Sequence, residues 1–236
     1  MAAIGTFLLT VACVRWDRLT LDDVGAAANR SSLFRLAIGF LIGLTLVALW
    51  AQISAMAGGV RWVRTASVGG MAPLISLITY LALACREELA FRGYPLRRLY
   101  AALGLWPAQI VVAVVFVLEH RLGGYPWVDA VFGSGMGALL FGMAAIATGG
   151  LAIPIGIHAA WNFGSWAVGI KGTPGFWRPV VLQAEAERAH IAGTVIYDVL
   201  FILATILFWI WHRRRTVIFR DAGSDDTRRQ IGKCST

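Results

Sequence analysis

The chain has 236 residues, of which 58% are hydrophobic and only 14% charged, with a mean hydropathy of +0.69. Soluble domains carry about 25% charged and about 45–50% apolar residues, so this composition excludes an ordinary soluble domain and implies a polytopic membrane protein. The formal charge of +8 is then no nucleic-acid footprint, because the arginines gather at the ends of apolar runs, where charges orient membrane proteins.

At about 20 residues per crossing, the length suits about six to eight spans in one all-α bundle. Residues 2–14 form a short apolar run with no basic stretch before it, which predicts a short first span rather than a signal peptide. Arg15 to Ser32 is polar, with Leu19, Leu21 and Val24 among the charges, as in an interfacial connection. Leu33 to Ala57 is a second span, closed by Gly58 and Gly59, and Arg61 and Arg64 mark an interface. A third span is predicted from Gly69 to about Tyr100, long enough to tilt or protrude, with Pro95 as a possible kink. Leu105 to His120, Trp127 to Thr148 and Leu151 to Ile170 follow as spans four to six, separated by turns at Arg121–Pro126 and Gly149–Gly150. Gly133, Ser134, Gly135, Gly137 and Gly142 suit close helix approach in the fifth. Lys171 to Arg188 reads as a polar loop, and Ile191 to Trp211 as a seventh span capped by His212 and Arg213 to Arg215.

Seven spans put Arg15, Arg18, Arg30, Arg35, Arg97, Arg98 and Arg213 to Arg215 on one side. Arg61, Arg64, Arg121, Lys171, Arg178 and Arg188 fall on the other. The heavier side should be cytoplasmic, with the C-terminus there and the N-terminus outside. Lys171 and Lys233 are the only lysines, and the bias to Arg, Ala and Gly suits a GC-rich bacterial source. Cys13, Cys85 and Cys234 are odd in number and widely spaced, so neither a disulfide framework nor a cysteine zinc site is expected. Only two residues follow Cys234, so the terminus is no prenylation box.

The run Arg86-Glu87-Glu88-Leu-Ala-Phe-Arg92 places four charges in otherwise apolar helical sequence. Each costs about 2.5–3.5 kcal/mol near a helix centre in lipid, so four approach about 10–14 kcal/mol, while ten Leu/Ile-type residues return about 3–6. These groups must therefore face protein or a water-filled cavity, and such a cluster marks a functional site by default. Partners are available elsewhere in the spans: Glu119, His120, His158 and Asn162. His158 and Asn162 share a helix face, as do Phe116 and His120. Counted at 1.5 Å per residue from the turns on one side, Glu87 lies roughly 20 Å deep, His120 roughly 24 Å, His158 roughly 12 Å and Asn162 roughly 18 Å. Three helices thus deliver polar groups to overlapping depths. Arg92, one turn after Glu88, is placed for an ion pair, while Arg86 has no assigned partner.

Glu87-Glu88-x-x-x-Arg92, Phe116-x-x-x-His120 and His158-x-x-x-Asn162 resemble, in order and spacing, the three motifs of the CPBP family. These are the CAAX proteases and bacteriocin-processing enzymes, also called the Abi family of intramembrane proteases. Gly137-Ala-Leu-Leu-Phe-Gly142, Thr148-Gly-Gly-Leu151 and Ile155-Gly-Ile-His158 resemble its signature helices. The likeness covers about residues 70–170 and departs at Glu119 and at Gly123-Gly124. It divides the chain into N-terminal segments (1–68), a protease-like core (69–172), and a loop, last span and basic tail (173–236).

The resemblance implies an endopeptidase of the cell membrane, with its active site in a cavity between helices and a membrane-associated or lipid-modified peptide as substrate. Glu87 would activate a water, His120 would hold it, His158 and Asn162 would stabilise the oxyanion, and Glu88 with Arg92 would position the base. The chemistry is sound, since a carboxylate withdrawn from water is a stronger base and donors aimed at developing charge contribute about 3–4 kcal/mol each. Two rivals stay open. Glu87, His120 and His158 could instead bind zinc with an open position, although no His-Glu-x-x-His helix is present. A catalytically silent transporter or bacteriocin-immunity scaffold is the other, although inverted repeats are not evident.

Overall fold

The computed structural model describes residues 2–57 and 59–233, with side chains as far as Thr216; Gly58 and Cys234 lie outside the described residues. Eight α-helices follow in order: α1 (Ala2–Trp16), α2 (Arg30–Met56), α3 (Ala72–Phe91), α4 (Tyr94–Leu103), α5 (Leu105–Leu122), α6 (Met136–Thr148), α7 (Ala152–Ala167) and α8 (Ala186–Lys233). Four stretches are long and apolar enough to cross a membrane: Arg30–Met56, Leu105–Leu122, Asp129–Thr148 and Gln183–Thr216. Seven spans were expected. α1 and α7, at 15 and 16 residues, are shorter than a crossing, and α3 is made too polar by the charges at its end.

The predicted third span also divides. Rather than one long helix to Tyr100, the backbone breaks after Phe91, where Arg92 and Gly93 both direct their N–H groups to Glu88 O. Pro95 then occupies the first turn of α4, where its missing N–H costs nothing. A second departure from the all-α expectation is a two-stranded antiparallel ribbon, β1 (Arg61–Arg64) with β2 (Trp177–Val180), pairing Arg61 with Val180 and Arg64 with Trp177. The stretch read as polar loop thus supplies a strand. The ribbon joins the end of α2 to the segment after α7.

α7 is the axis of the bundle. It packs along α2 so closely that a Cβ at Gly156 would strike Leu36 O, and one at Gly39 would strike Ile153 O. Glycine is required at both crossings because the two backbones touch. Gly156→Leu is therefore expected to lower stability by about 1–3 kcal/mol or more, read as the thermal midpoint in detergent. Gly5→Leu, with nothing within 4 Å of the added carbon, is the control; equal midpoints would refute the close crossing. On its other faces α7 meets α3 and α6, and α8 closes over α6. Phe201 of α8 is fully buried against Phe141 and Trp161.

The arginines fall at opposite ends of this bundle. Arg98 pairs with Asp17 at 2.9 Å, Arg97 donates to Ala145 O, and Arg215 donates to Ala147 O, which gathers one set at the end where α6 stops. Arg61, Arg64 and Arg178 lie on the ribbon at the other end.

Candidate active site

α3, α5 and α7 bring the motif residues to one cavity of about 580 Å³, lined by Glu87, His120, His158, Asn162 and aromatic side chains including Phe141 and Trp161, and extending to the ribbon. Glu87 is 4% exposed and Asn162 7%. Asn162 stands one turn beyond His158 on α7, and both line the cavity.

Glu87 and Glu88 serve different partners. Glu88 is fully buried and takes two contacts on Oε1, His158 Nδ1 at 2.9 Å and Arg92 Nη1 at 3.3 Å. Arg92, also fully buried, has its guanidinium 4.4 Å from the ring centre of Phe116 and 5.6 Å from those of Phe91 and Phe141. A flat, weakly hydrated cation suits this aromatic box where an ammonium would not. Phe141 stacks on His158 at 4.5 Å, 11° from parallel. Glu88 and Arg92 therefore hold His158. The residue touching Glu87 is Arg86, whose Nη2 lies 2.7 Å from Glu87 Oε1; Glu87 Oε2 lies 3.6 Å from His158 Nε2.

Arg86 and Glu119 are the two residues to which the sequence assigned no role. The same Arg86 nitrogen reaches Glu119 Oε1 at 3.1 Å, and Glu119 Oε2 lies 3.1 Å from His120 Nδ1. His120 Nδ1 is also 2.9 Å from Phe116 O, a carbonyl that can only accept. The Nδ1 proton is thereby placed, and in the neutral ring Nε2 then carries the lone pair. A continuous chain, Glu87–Arg86–Glu119–His120, thus ties α3 to α5. The available signal was a second glutamate beside a motif histidine on a neighbouring helix, opposite an arginine without a partner.

No three His, Cys, Asp or Glu side chains among the described residues converge as ligands. His158 turns Nδ1 to Glu88 and Nε2 toward Glu87, and His120 Nδ1 lies against the Phe116 carbonyl. Cys85, beside the cluster, is a partly buried free thiol, as is Cys13.

Helices long enough to cross a membrane, enclosing paired glutamates, two histidines and an asparagine, define a helical membrane protein with a sheltered polar site. Residues 69–164 match the family model described as Type II CAAX prenyl endopeptidase Rce1-like. This segment, which carries all three motifs, is thereby similar to the CAAX proteases. No curated protein and no solved structure gives a match.

Proposed function

We propose that the protein is an intramembrane endopeptidase that hydrolyses peptide bonds in membrane-associated or lipid-modified substrates with a glutamate-activated water. The observation that carries this is the convergence of Glu87, His120, His158 and Asn162 on one cavity from three separate helices. Glu87 Oε2, the oxygen not bound by Arg86, accepts the water proton. His120 Nε2 offers the water a second acceptor, and so aims its oxygen at the scissile carbonyl. Asn162 is the amide donor for the developing oxyanion, and His158, held by Glu88 and Arg92, faces the same space. Arg86 and Glu119 act through others: they fix the rotamer of Glu87 and the tautomer of His120.

The site sits toward the ribbon end, opposite the arginines near Asp17 and Arg215. If the arginine-rich end is cytoplasmic, the cavity receives its substrate from the extracytoplasmic side. Its depth among the helices favours a peptide tethered to the bilayer.

Vesicles of known orientation test both statements. Peptides tethered to the membrane are presented on either face, and the fragments released are collected by mass spectrometry. Wild-type protein should release fragments from the face opposite the C-terminus, and Asn162→Ala should slow release by about 10²–10³-fold, as loss of one oxyanion donor does. Equal release by both proteins sinks the catalytic assignment; release at the C-terminal face sinks the orientation. A membrane transporter or scaffold would release nothing in either case.

A further inference from the structure

Among the described residues that line the cavity there is one amine, and the proposed reaction does not use it. Of the lining residues, Glu87 has Arg86 at 2.7 Å, His120 has Glu119 at 3.1 Å, His158 has Glu88 at 2.9 Å, and Asp129 has His190 at 3.6 Å. Lys171 lines the same space but enters no ion pair among the described residues.

Its position is built rather than incidental. Lys171 lies in the segment between α7 and β2, held down by glycine on both sides. Gly169, at φ +78°, lies so close to β2 that a Cβ would strike Trp177 O, and a Cβ on Gly175 would strike Trp166 O. The left-handed backbone at Gly169 and the two close approaches admit glycine alone. Trp166 is itself buried, with Phe176 against its ring. The segment is thereby pressed onto the end of α7 and onto β2, with Lys171 beside the cavity.

Burial pushes the Lys171 ammonium below its ordinary pKa, while the field of Glu87 pulls the other way. Glu87 therefore acts on this cation from a distance, without forming a pair. A half-buried cation without a counter-ion is disfavoured, and a ligand that supplies the opposite charge relieves the cost. The complementary chemistry is a carboxylate.

We propose that Lys171 is an anion subsite of this cavity, binding a carboxylate of the peptide substrate and so setting the distance from that carboxylate to the bond presented to Glu87. The proposal rests on the peptidase reading of the cavity and goes beyond it by naming a substrate feature. Two sources share the chemistry: the free C-terminal carboxylate of the chain, and an Asp or Glu side chain near the scissile bond.

The test uses the full chain in detergent micelles and a mixed-sequence decapeptide library in three forms. One ends in a free acid, one in an amide, and one in an amide with Asp at a single position scanned through the peptide. Wild-type protein should process one carboxylate-bearing form about tenfold faster than the plain amide at sub-saturating concentration, the gain expected of one charge-assisted bond. At saturation the forms should converge. K171Q should remove the preference while leaving the rate on the plain amide within about twofold, and K171R should restore it. The favoured form identifies the source. A preference that persists in K171Q, or no preference in wild type, overturns the subsite.

Binding supplies a readout free of catalysis. Retention of the same peptides on immobilised E87Q protein should favour the carboxylate form about tenfold, and E87Q/K171Q should lose that advantage. Cleavage without a carboxylate preference defeats the subsite alone. Carboxylate-dependent retention without cleavage by wild type defeats the peptidase reading alone. Equal retention of all forms by both variants overturns the subsite in its own right.

Discussion

Glu87→Gln is expected to reduce peptide release by at least about 10³-fold while leaving the protein folded. Glutamine keeps the shape and can still accept the Arg86 hydrogen bond that reaches Glu87 Oε1 at 2.7 Å. It cannot accept a proton from water, and proton transfer by a placed base contributes typically about 10²–10⁴-fold. Loss of the carboxylate charge also leaves Arg86 with Glu119 as its one close anion, which adds to the effect. The rate is to be followed with the tethered peptides, and the fold by thermal unfolding in detergent. Turnover within about twofold of wild type in a normally melting variant would remove Glu87 from the mechanism. Glu119→Gln supplies the comparison. Because Glu119 acts through His120 and Arg86, its loss should lower the rate by about tenfold without abolishing it, and Glu119→Asp should recover part of it.

Arg92→Leu is expected to be the most destabilising single change at the site, by about 3–5 kcal/mol, because it strands a fully buried Glu88 without its cation. Arg92 is enclosed by Phe91, Phe116 and Phe141, so water cannot readily replace it. The His158 contact at 2.9 Å would be left to neutralise Glu88 alone, and His158 would be drawn out of register with Asn162. Adding Glu88→Gln to Arg92→Leu removes the stranded charge and should return much of the lost stability without returning activity. Double-mutant melting midpoints in detergent measure this recovery. A single Arg92→Leu protein as stable as wild type would contradict the buried pair.

Much of the site was legible because charge in an apolar helix is conspicuous in one dimension. Glu87, Glu88, Arg92, His120, His158 and Asn162 were all visible as polar residues in spans that otherwise avoid them, and turn-counted depths brought three helices to a common level. The i,i+4 relation of Glu88 and Arg92 was equally plain, since helix periodicity is local. Element boundaries were less so. The break at Arg92–Gly93 lies inside a stretch that reads as one long span, and its only local sign was a glycine followed by Pro95. The ribbon was hidden because Arg61–Arg64 and Trp177–Val180 are far apart in sequence and too short to show an alternating pattern.

The sequence by itself determined the class of protein, the family segment and the residues that cannot face lipid, because those follow from composition, spacing and the cost of charge in an apolar medium. The tertiary structure decided who holds whom. Adjacent helical residues point about 100° apart, so Glu87 and Glu88, neighbours in the chain, reach different partners on different helices. That rotation gives Glu88 to His158 and Arg92 and gives Glu87 to Arg86, and it turns Glu119 into the bridge between Arg86 and His120. Lys171 likewise acquires meaning only when two glycines lay its segment against α7 and β2, where a cation from a loop shares a cavity with a glutamate from a helix.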